Sequence, residues 1–147
     1  MSKEIEIRII EGDQKGRKLW LGLIKAKDLL DEIRVGTDIY SEIDNPEGYQ
    51  RPLSSRRAQG FQDFMAEPKM FSPTTILLNI RGDSIKKVKF GRESILVPPE
   101  VKLWIVDGQH RVGGLRMLLE ARNEEQFRNM DIPVIVVNVH SNFEAFL

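Results

Sequence analysis

Five consecutive residues, Asp107 to Arg111, place an acid, a glycine, an amide, an imidazole and a guanidinium side by side. No other stretch of the chain concentrates so many chemically active groups. A phosphate placed here would meet the backbone N–H groups of residues 108–110 and the forked guanidinium of Arg111. Gly108 allows a close approach, because it has no side chain. The pattern therefore predicts an anion site, with phosphate as its natural ligand.

Two of these side chains could also take part in chemistry. Asp107 could hold Mg²⁺ or orient a water molecule. Gln109 and His110 offer hydrogen bonds to a phosphate or a base, and we take Asp107 and His110 as the candidate catalytic residues. The alternative is structural: Asp107 caps a helix, Gly108 serves the turn, and His110 and Arg111 are surface residues. Both interpretations stay open at this level, and the local pattern favours the functional one.

The flanking sequence predicts how the pentapeptide is positioned. Residues 103–106 form a short apolar run that is typical of a buried strand. From Val112 the apolar residues recur at helical spacing, so we expect a helix over residues 110 to about 122. A strand that passes directly into a helix brings backbone N–H groups and the positive end of the helix dipole to one point. Strand ends of this kind are places where ligands bind.

A second group of cations lies upstream. Arg51, Arg56 and Arg57 surround the predicted start of a helix that is capped by a serine and runs to about residue 67. The helix dipole disfavours cations at this end, so the arginines are useful there mainly if they share an anion. The alternative is that they pair with Asp63 or Glu67 further along the helix.

The charge of the chain is balanced in total but uneven along its length. There are 22 Lys and Arg against 22 Asp and Glu, whereas residues 51–92 carry nine basic against three acidic residues. Lys86, Lys87 and Lys89 alternate with apolar residues. This pattern predicts a strand over residues 85–90 whose lysines line its solvent-exposed face. We take these lysines as secondary candidates for DNA contact. The neutral total argues against a wholly basic nucleic-acid binder, while the middle segment could present a basic surface.

Several classes of protein are excluded by what the chain lacks. It has no cysteine, and His110 and His140 lie on different predicted elements, so zinc and thiolate sites are excluded. There is neither a Gly-x-Ser-x-Gly nucleophile elbow nor a P-loop. No apolar run is long enough for a membrane helix, and the charged N-terminus is unlike a signal peptide. We therefore expect a cytoplasmic protein.

The remaining pattern predicts an α+β domain, a small mixed β-sheet with packing helices. A hairpin is expected over residues 3–24, a short helix over 27–33, a strand over 94–97, and buried strands over 74–80 and 131–139. Residues 141–144 match the sequence pattern of a capping box, which predicts the start of another helix. The 147 residues suit one domain, and we expect the chain to be truncated at its C-terminus because it ends just after this helix begins.

Residues 105–114, Ile-Val-Asp-Gly-Gln-His-Arg-Val-Gly-Gly, resemble the signature of the DGQHR-domain family, DndB-like proteins of bacterial DNA phosphorothioation. Residues 49–57 are similar to the N-terminal region of that family. The resemblance covers roughly residues 40–147 and leaves residues 1–37, the predicted hairpin and short helix, unexplained. Proteins of this family run longer than this chain, which again implies truncation.

The family is similar to the ParB/sulfiredoxin-like superfamily, so the resemblance implies that fold and a strand-to-helix turn that holds nucleotide phosphates. By position, Gly108, Gln109, His110 and Arg111 match the phosphate-binding turn. Sulfiredoxins have a cysteine nucleophile where this chain has Gln109, so their redox chemistry is excluded. ParB proteins hydrolyse CTP while they clamp DNA.

The resemblance thus implies a nucleoside-triphosphate-binding domain in a bacterial DNA-modification or phage-defence system. It could be a Mg²⁺-dependent NTPase for ATP or CTP, with the Mg²⁺ on Asp107. The expected partners are nucleotide, DNA, other proteins of the system and further copies of the chain, as a homo-oligomer. The alternative is a non-catalytic DNA-binding transcriptional regulator whose turn grips a DNA phosphate. A third possibility is a protein-interaction module that keeps the turn for its geometry alone.

Overall fold

A computed structural model of the chain describes residues 3–147 and shows eight strands and four helices in that part. The strands are β1 Ile5–Gln14, β2 Arg17–Lys25, β3 Val35–Thr37, β4 Ile76–Asn79, β5 Lys89–Phe90, β6 Ser94–Val97, β7 Leu103–Asp107 and β8 Asp131–Val137. The helices are α1 Ala26–Leu29, α2 Ser55–Ala66, α3 Gln109–Ala121 and α4 Glu125–Arg128. Two 3₁₀ helices, Gly82–Lys87 and Ser141–Phe146, complete the order. None of the helices in residues 3–147 has the length and apolar character needed to cross a membrane.

The strands form one mixed sheet in the order β3-β7-β4-β8-β2-β1-β6-β5. The β1–β2 hairpin lies inside this sheet, because β2 pairs with β8 and β1 pairs with β6. β7, which leads into the central pentapeptide, lies between β3, to which it is parallel, and β4, to which it is antiparallel. An interior strand flanked on both sides by hydrogen-bonded neighbours gives its last residue a fixed position.

The core lies against one face of the sheet. β4 and β8 bury alternate apolar residues, Ile76 and Leu78 on the first strand and Val134 and Val136 on the second. Successive side chains on a strand point to opposite faces, so these residues share one face. Val112, Leu115 and Leu118 of α3 join the same hydrophobic cluster, which fixes α3 on the sheet. α2 packs in turn against α3.

The predicted α+β class with a mixed sheet is confirmed, as are the N-terminal hairpin, β7 and α3. α2 begins after Ser54, whose hydroxyl accepts a hydrogen bond from the Arg57 N–H at 3.3 Å. This is the serine cap that the sequence predicts. The short helix predicted over residues 27–33 ends already at Leu29, and Ile33 is exposed.

The strand predicted over residues 85–90 is wrong. Gly82–Lys87 is a 3₁₀ helix, and β5 contains only Lys89–Phe90. Ile85 and Val88, the two residues of this stretch that pack into the core, are three positions apart. A 3₁₀ helix has three residues per turn, so this spacing places both residues on one side. The sequence prediction failed because lysine and apolar residues alternate in this stretch, a pattern typical of a strand, whereas the two core residues are spaced by three.

The capping box predicted at residues 141–144 is also wrong. The cap of this 3₁₀ helix is His140, whose Nδ1 accepts from the Asn142 N–H at 3.3 Å. Glu144 does not reach back to the helix start, because its carboxylate is buried and hydrogen-bonded to Asn79 and Arg81. A tertiary ion pair has replaced the local capping interaction.

Candidate functional site

Gly108 determines the shape of the turn between β7 and α3. It has φ 103° and ψ 15° and is the residue that caps α3. This is a left-handed conformation, which residues with a side chain rarely adopt. A Cβ at this position would also lie 2.5 Å from Cδ1 of Ile76 on the neighbouring strand. Glycine is therefore required here for both conformation and space.

The start of α3 has backbone donors available to a ligand. The first intrahelical hydrogen bond runs from the Val112 N–H to the Gly108 carbonyl at 3.0 Å, so the three preceding N–H groups lie ahead of the helix ladder. No side chain among the described residues caps this end, and its first turn contains no acid. The interpretation of Asp107 as a helix cap is thus wrong. These donors without an intrahelical partner and the positive end of the helix dipole favour an anion.

Arg111 is held at the same point by two side chains. Its Nη1 donates a 2.7 Å hydrogen bond to the Thr74 hydroxyl, and its Nη2 lies 3.7 Å from Oδ2 of Asp107. The Arg111 side chain is 23% exposed, whereas that of Asp107 is 76% exposed. Because the contact with Asp107 is long, the guanidinium is positioned but retains donors for a further acceptor.

A cleft of about 760 Å³ opens between this turn and the start of α2. It is lined by Gln50, Arg51, Arg57, Gly60, Phe61, Phe64, Asp107, Gly108, Gln109, His110 and Arg111. Every residue of the predicted nucleotide site lines the cleft except Arg56. The two cationic regions that the sequence suggested separately therefore face one space.

Gln109 links the two sides of the cleft. Its Nε2 donates a 2.9 Å hydrogen bond to the carbonyl of Arg51, which fixes the segment before α2 against the start of α3. This contact explains how Arg51 comes to lie opposite the turn. Gln109 thus has a structural role, and its amide is already engaged.

The arginines at the start of α2 do not pair with acids of their own helix. In the part of the chain that the structure describes, Arg51, Arg56 and Arg57 form no ion pair with Asp63 or Glu67. Asp63 instead accepts a hydrogen bond from Gln59 at 2.9 Å. The pairing alternative is wrong, and the cleft contains an excess of positive charge.

The surroundings of His110 favour the neutral form of its imidazole. Burial lowers the pKa of its imidazole from the ordinary value of 6.5, and the positive charge of Arg57 lowers it further. Its Nε2 has no hydrogen-bond partner among residues 3–147 and is shielded from solvent. A neutral imidazole can donate to one ligand atom or accept one proton. An anion in the cleft would offset the effect of Arg57 on this pKa.

The three lysines proposed for DNA contact lie away from the cleft. Lys86 is 3.4 Å from Asp83, and Lys89 is 3.4 Å from Glu4. Lys87 is exposed on the same 3₁₀ helix as Lys86. The nearby acids reduce the positive potential of this surface.

Four residues of the cleft were not predicted from the sequence: Gln50, Gly60, Phe61 and Phe64. The two phenylalanines occur at helical spacing on α2, which made them look like core residues, although Phe64 is 40% exposed. Gln50 is buried and donates from Nε2 to the carbonyl of Ile105 on β7, two residues before Asp107. Its position directly before Arg51, within the stretch 49–57 that resembles the family, was its indication in the sequence.

A buried polar network lies behind Gln50. The Glu144 carboxylate accepts hydrogen bonds from Asn79 at 2.6 Å, from Arg81 at 2.7 Å and from the Tyr49 hydroxyl at 2.9 Å. Burial acts to raise the pKa of Glu144, but these hydrogen bonds and the charge of Arg81 outweigh it and hold the pKa below the ordinary value. Burial also raises the pKa of Tyr49, so its hydroxyl stays a donor to Glu144. Arg81 also pairs with Asp38 at 2.8 Å.

Within residues 3–147 no group of three or more His, Cys, Asp and Glu is arranged to hold a metal ion. Asp107 is the one described carboxylate that lines the cleft. A Mg²⁺ ion at Asp107 would need phosphate oxygens and water as its other ligands, which is its usual arrangement in nucleotide sites. Asp107 fits a metal that arrives with a nucleotide and does not fit a resident one.

Fold and site together define an α+β domain with a cationic cleft at the N-terminus of a helix. A family model described as DndB, DNA-sulfur modification-associated, matches residues 7–145. The chain belongs to this family. The match begins within β1, so it includes the hairpin that the resemblance by motif left unexplained. No match was found among curated proteins or among solved structures.

Proposed function

We propose that this DndB-family chain binds a nucleoside triphosphate, with the phosphates on the N-terminus of α3, as part of a DNA-sulfur modification system. One observation carries the proposal. The start of α3, whose first N–H groups have no intrahelical partner, lines one cleft together with Arg51, Arg57 and Arg111. Such a set of donors matches a chain of phosphates, since both charge and hydrogen bonding are complementary. The match to a DNA-modification family supports the setting.

Each residue has a defined part in this proposal. The N–H groups of residues 109–111 and the fork of Arg111 bind one phosphate, and Arg51 and Arg57 bind the next from across the cleft. Arg56, outside the cleft, contributes to the positive potential around it. Mg²⁺, when bound, would neutralise phosphate charge beside Asp107. Lys86, Lys87 and Lys89 have no part in nucleotide binding.

Hydrolysis of the terminal phosphate is a further step of the proposal. Water would attack the terminal phosphorus, the bond to the bridging oxygen would break, and a nucleoside diphosphate and inorganic phosphate would leave. Asp107 would orient the water, and neutral His110 could accept its proton. Release of phosphate from ATP or CTP, lost in His110→Gln with nucleotide affinity kept, would support this step. If no phosphate is released from ATP or CTP, the proposed function is limited to nucleotide binding.

The test of binding is the affinity of Arg111→Ala for ATP and CTP, measured by calorimetry with Mg²⁺. A charged hydrogen bond contributes about 1.5–3 kcal/mol, so the affinity should fall roughly 10- to 100-fold. Arg92→Ala is the matched control, because Arg92 is exposed between β5 and β6 and away from the cleft. Unchanged affinity in Arg111→Ala would contradict the proposal. Because Arg111 also contacts Thr74, the melting temperature without ligand should be measured for each variant.

A second candidate function is that of a DNA-binding regulator in which the turn between β7 and α3 binds a DNA phosphate. The family's association with DNA-sulfur modification and the exposed Arg56 beside the cleft favour it. Duplex binding that falls steeply with salt and ignores added nucleotide would support this function. The nucleotide site would then be rejected if Arg111→Ala weakened only DNA binding.

A further inference from the structure

A second pocket, of about 340 Å³, opens beside the cationic cleft. Its walls come from the end of α2, the segment 71–74, and the first residues of β4 and β8. The side chains that form it are mainly apolar, among them Met65 of α2 and Ile76 of β4. We call it the apolar pocket. Small-molecule sites have volumes of about 300–1,000 Å³, and this volume lies at the lower end of that range.

The apolar pocket and the cationic cleft share two lining residues, Phe61 and Arg111. The Arg111 guanidinium lies at the border, since its Nη1 donates to the hydroxyl of Thr74, which belongs to the apolar pocket. A ligand that placed a phosphate on Arg111 would therefore have its adjoining group at the entrance of the apolar pocket. Along the surface, the cationic cleft is therefore followed directly by the apolar pocket.

An aromatic ring lies exposed at this pocket. Phe71 is 72% exposed although it lines the cavity, and Phe64, at the cleft, is 40% exposed. Phe61 and Phe64 form a tilted pair with ring centroids 6.2 Å apart. Exposed aromatic residues beside a cationic groove are typical of sites that stack a base while binding its phosphate. A free ring face is what such stacking needs.

The apolar pocket also has a few polar groups at its edge. The hydroxyls of Ser72 and Thr74 lie 3.3 Å apart on the segment that carries Phe71. Each hydroxyl can both donate and accept a hydrogen bond, so they suit the edge of a base or a sugar hydroxyl. Apolar walls with a few polar groups are the usual composition of a small-molecule site.

We propose that the apolar pocket binds the base of the nucleotide whose phosphates lie at the turn, with Phe71 stacked on the base. This inference rests on the proposed function and assigns the other end of the same ligand. Stacking contributes similarly for all four bases, so discrimination among them is small. The base can belong to a free nucleoside triphosphate or to a nucleotide within a single strand, since both present the same chemistry.

The test compares Phe71→Ala with the unmodified chain by calorimetry, using ATP, CTP and inorganic tripolyphosphate. Phe71 is exposed, so its removal should leave the fold intact. The unmodified chain should bind both nucleotides at least tenfold more tightly than tripolyphosphate. Loss of stacking should lower the affinity for the nucleotides by roughly 5- to 100-fold. The affinity for tripolyphosphate should not change, because its contacts are with the turn.

Phe146→Ala is the matched control, since Phe146 is a similarly exposed ring that lines neither cavity. No effect of Phe71→Ala on the binding of ATP, CTP or a short single-stranded oligonucleotide would overturn the base pocket and leave the phosphate site standing. If the unmodified chain binds neither ligand, both proposals fail. A short single-stranded oligonucleotide identifies the source of the base. An effect of Phe71→Ala on that ligand alone supports the pocket and assigns the base to a strand.

Discussion

At the scale of single residues, Asp107 has the most distinctive environment in the cleft. Its carboxylate lines the same cleft as three arginines, yet it lies 3.7 Å from the guanidinium of Arg111, too far for a hydrogen bond. Its side chain is largely exposed. A carboxylate in this position repels phosphate unless a cation lies between them. The effect of Asp107 on nucleotide affinity should therefore depend on Mg²⁺.

Asp107→Asn should change nucleotide affinity in opposite directions with and without Mg²⁺. Without Mg²⁺ the affinity should rise a few-fold, because a repulsion of about 1 kcal/mol between exposed charges is removed. With Mg²⁺ the affinity should fall, because one ligand of the ion is lost. Calorimetry in EDTA and in excess Mg²⁺ measures both cases. Glu67→Gln, at the far end of α2, is the control, and a change of the same sign in both conditions would rule out a metal role for Asp107.

The chemistry of the pentapeptide could be predicted from its residues, but its local geometry could not. The sequence indicated that an anion would be met by the start of a helix, and Gly108 does form that start. The left-handed φ of Gly108 makes the glycine itself the cap, which leaves Asp107 free of that role. Spacing alone does not show which of two adjacent residues takes the cap position.

At the scale of elements, the cleft depends on how closely α2 packs against α3. A Cβ at Gly114 would lie 2.6 Å from the carbonyl oxygen of Ala58 and 2.9 Å from Cβ of Phe61. A Cβ at Gly113 would meet Leu53 at 2.9 Å. The two glycines that follow the pentapeptide thus let the helices approach each other. This approach brings Arg57 and Phe61 opposite the turn.

Gly114→Ala should destabilise the fold by about 1–2 kcal/mol, because overpacking costs about 1–3 kcal/mol and the better helix propensity of alanine returns only about 1 kcal/mol. Urea unfolding measures this change. The control is Gly60→Ala on α2, where nothing lies within 4 Å of the new Cβ. That variant should gain roughly 0.5–1 kcal/mol. If Gly114→Ala also stabilised the fold, the helices would not be in close contact at this point.

Elements with a clear local period could be predicted, and those set by tertiary contacts could not. β1 and α3 each show their own period, β7 is a short apolar run, and the serine before α2 marks the start of that helix. The 3₁₀ helix Gly82–Lys87 and the residue after it contribute only two core residues, Ile85 and Val88, and the lysines among them give the alternation typical of a strand. The contact between α2 and α3 joins residues more than fifty positions apart, so no local sequence pattern predicts it.

At the scale of the whole molecule, Glu144 joins segments that are distant in the sequence. Its carboxylate binds Asn79 of β4, Arg81 beyond that strand, and Tyr49 in the segment before α2. Tyr49 accepts a hydrogen bond from Gln50 at 3.3 Å, and Gln50 also donates to the Ile105 carbonyl of β7. The last residues of the chain are thereby connected to the strand that leads into the cleft.

The protonation of Glu144 links this network to pH. Its pKa in the folded chain lies below the ordinary value of 4.5, although burial alone would raise it. A carboxyl whose pKa is lowered by folding stabilises the fold above its unfolded pKa and loses that contribution as the pH falls through the folded pKa. The pKa values of Glu11 and Asp131 are also lowered, by hydrogen bonds from Lys18 and Lys25 respectively, but both carboxyls are exposed. The network should thus be most stable at neutral pH and weaken below about pH 4.5.

Glu144→Gln should lower the free energy of unfolding by about 3 kcal/mol at pH 7, because it leaves the partly buried Arg81 with Asp38 as its only described carboxylate partner. Urea unfolding between pH 7 and pH 3 measures the difference between the unmodified chain and the variant. This difference should shrink as the pH falls below about 4.5, because the carboxyl of the unfolded chain then takes up a proton before the Glu144 carboxylate of the folded chain does. Glu11→Gln is the control, because its carboxylate accepts similar hydrogen bonds at an exposed site and its loss should have a smaller effect. A difference that stayed constant over this range would mean that the charge of Glu144 does not stabilise the fold.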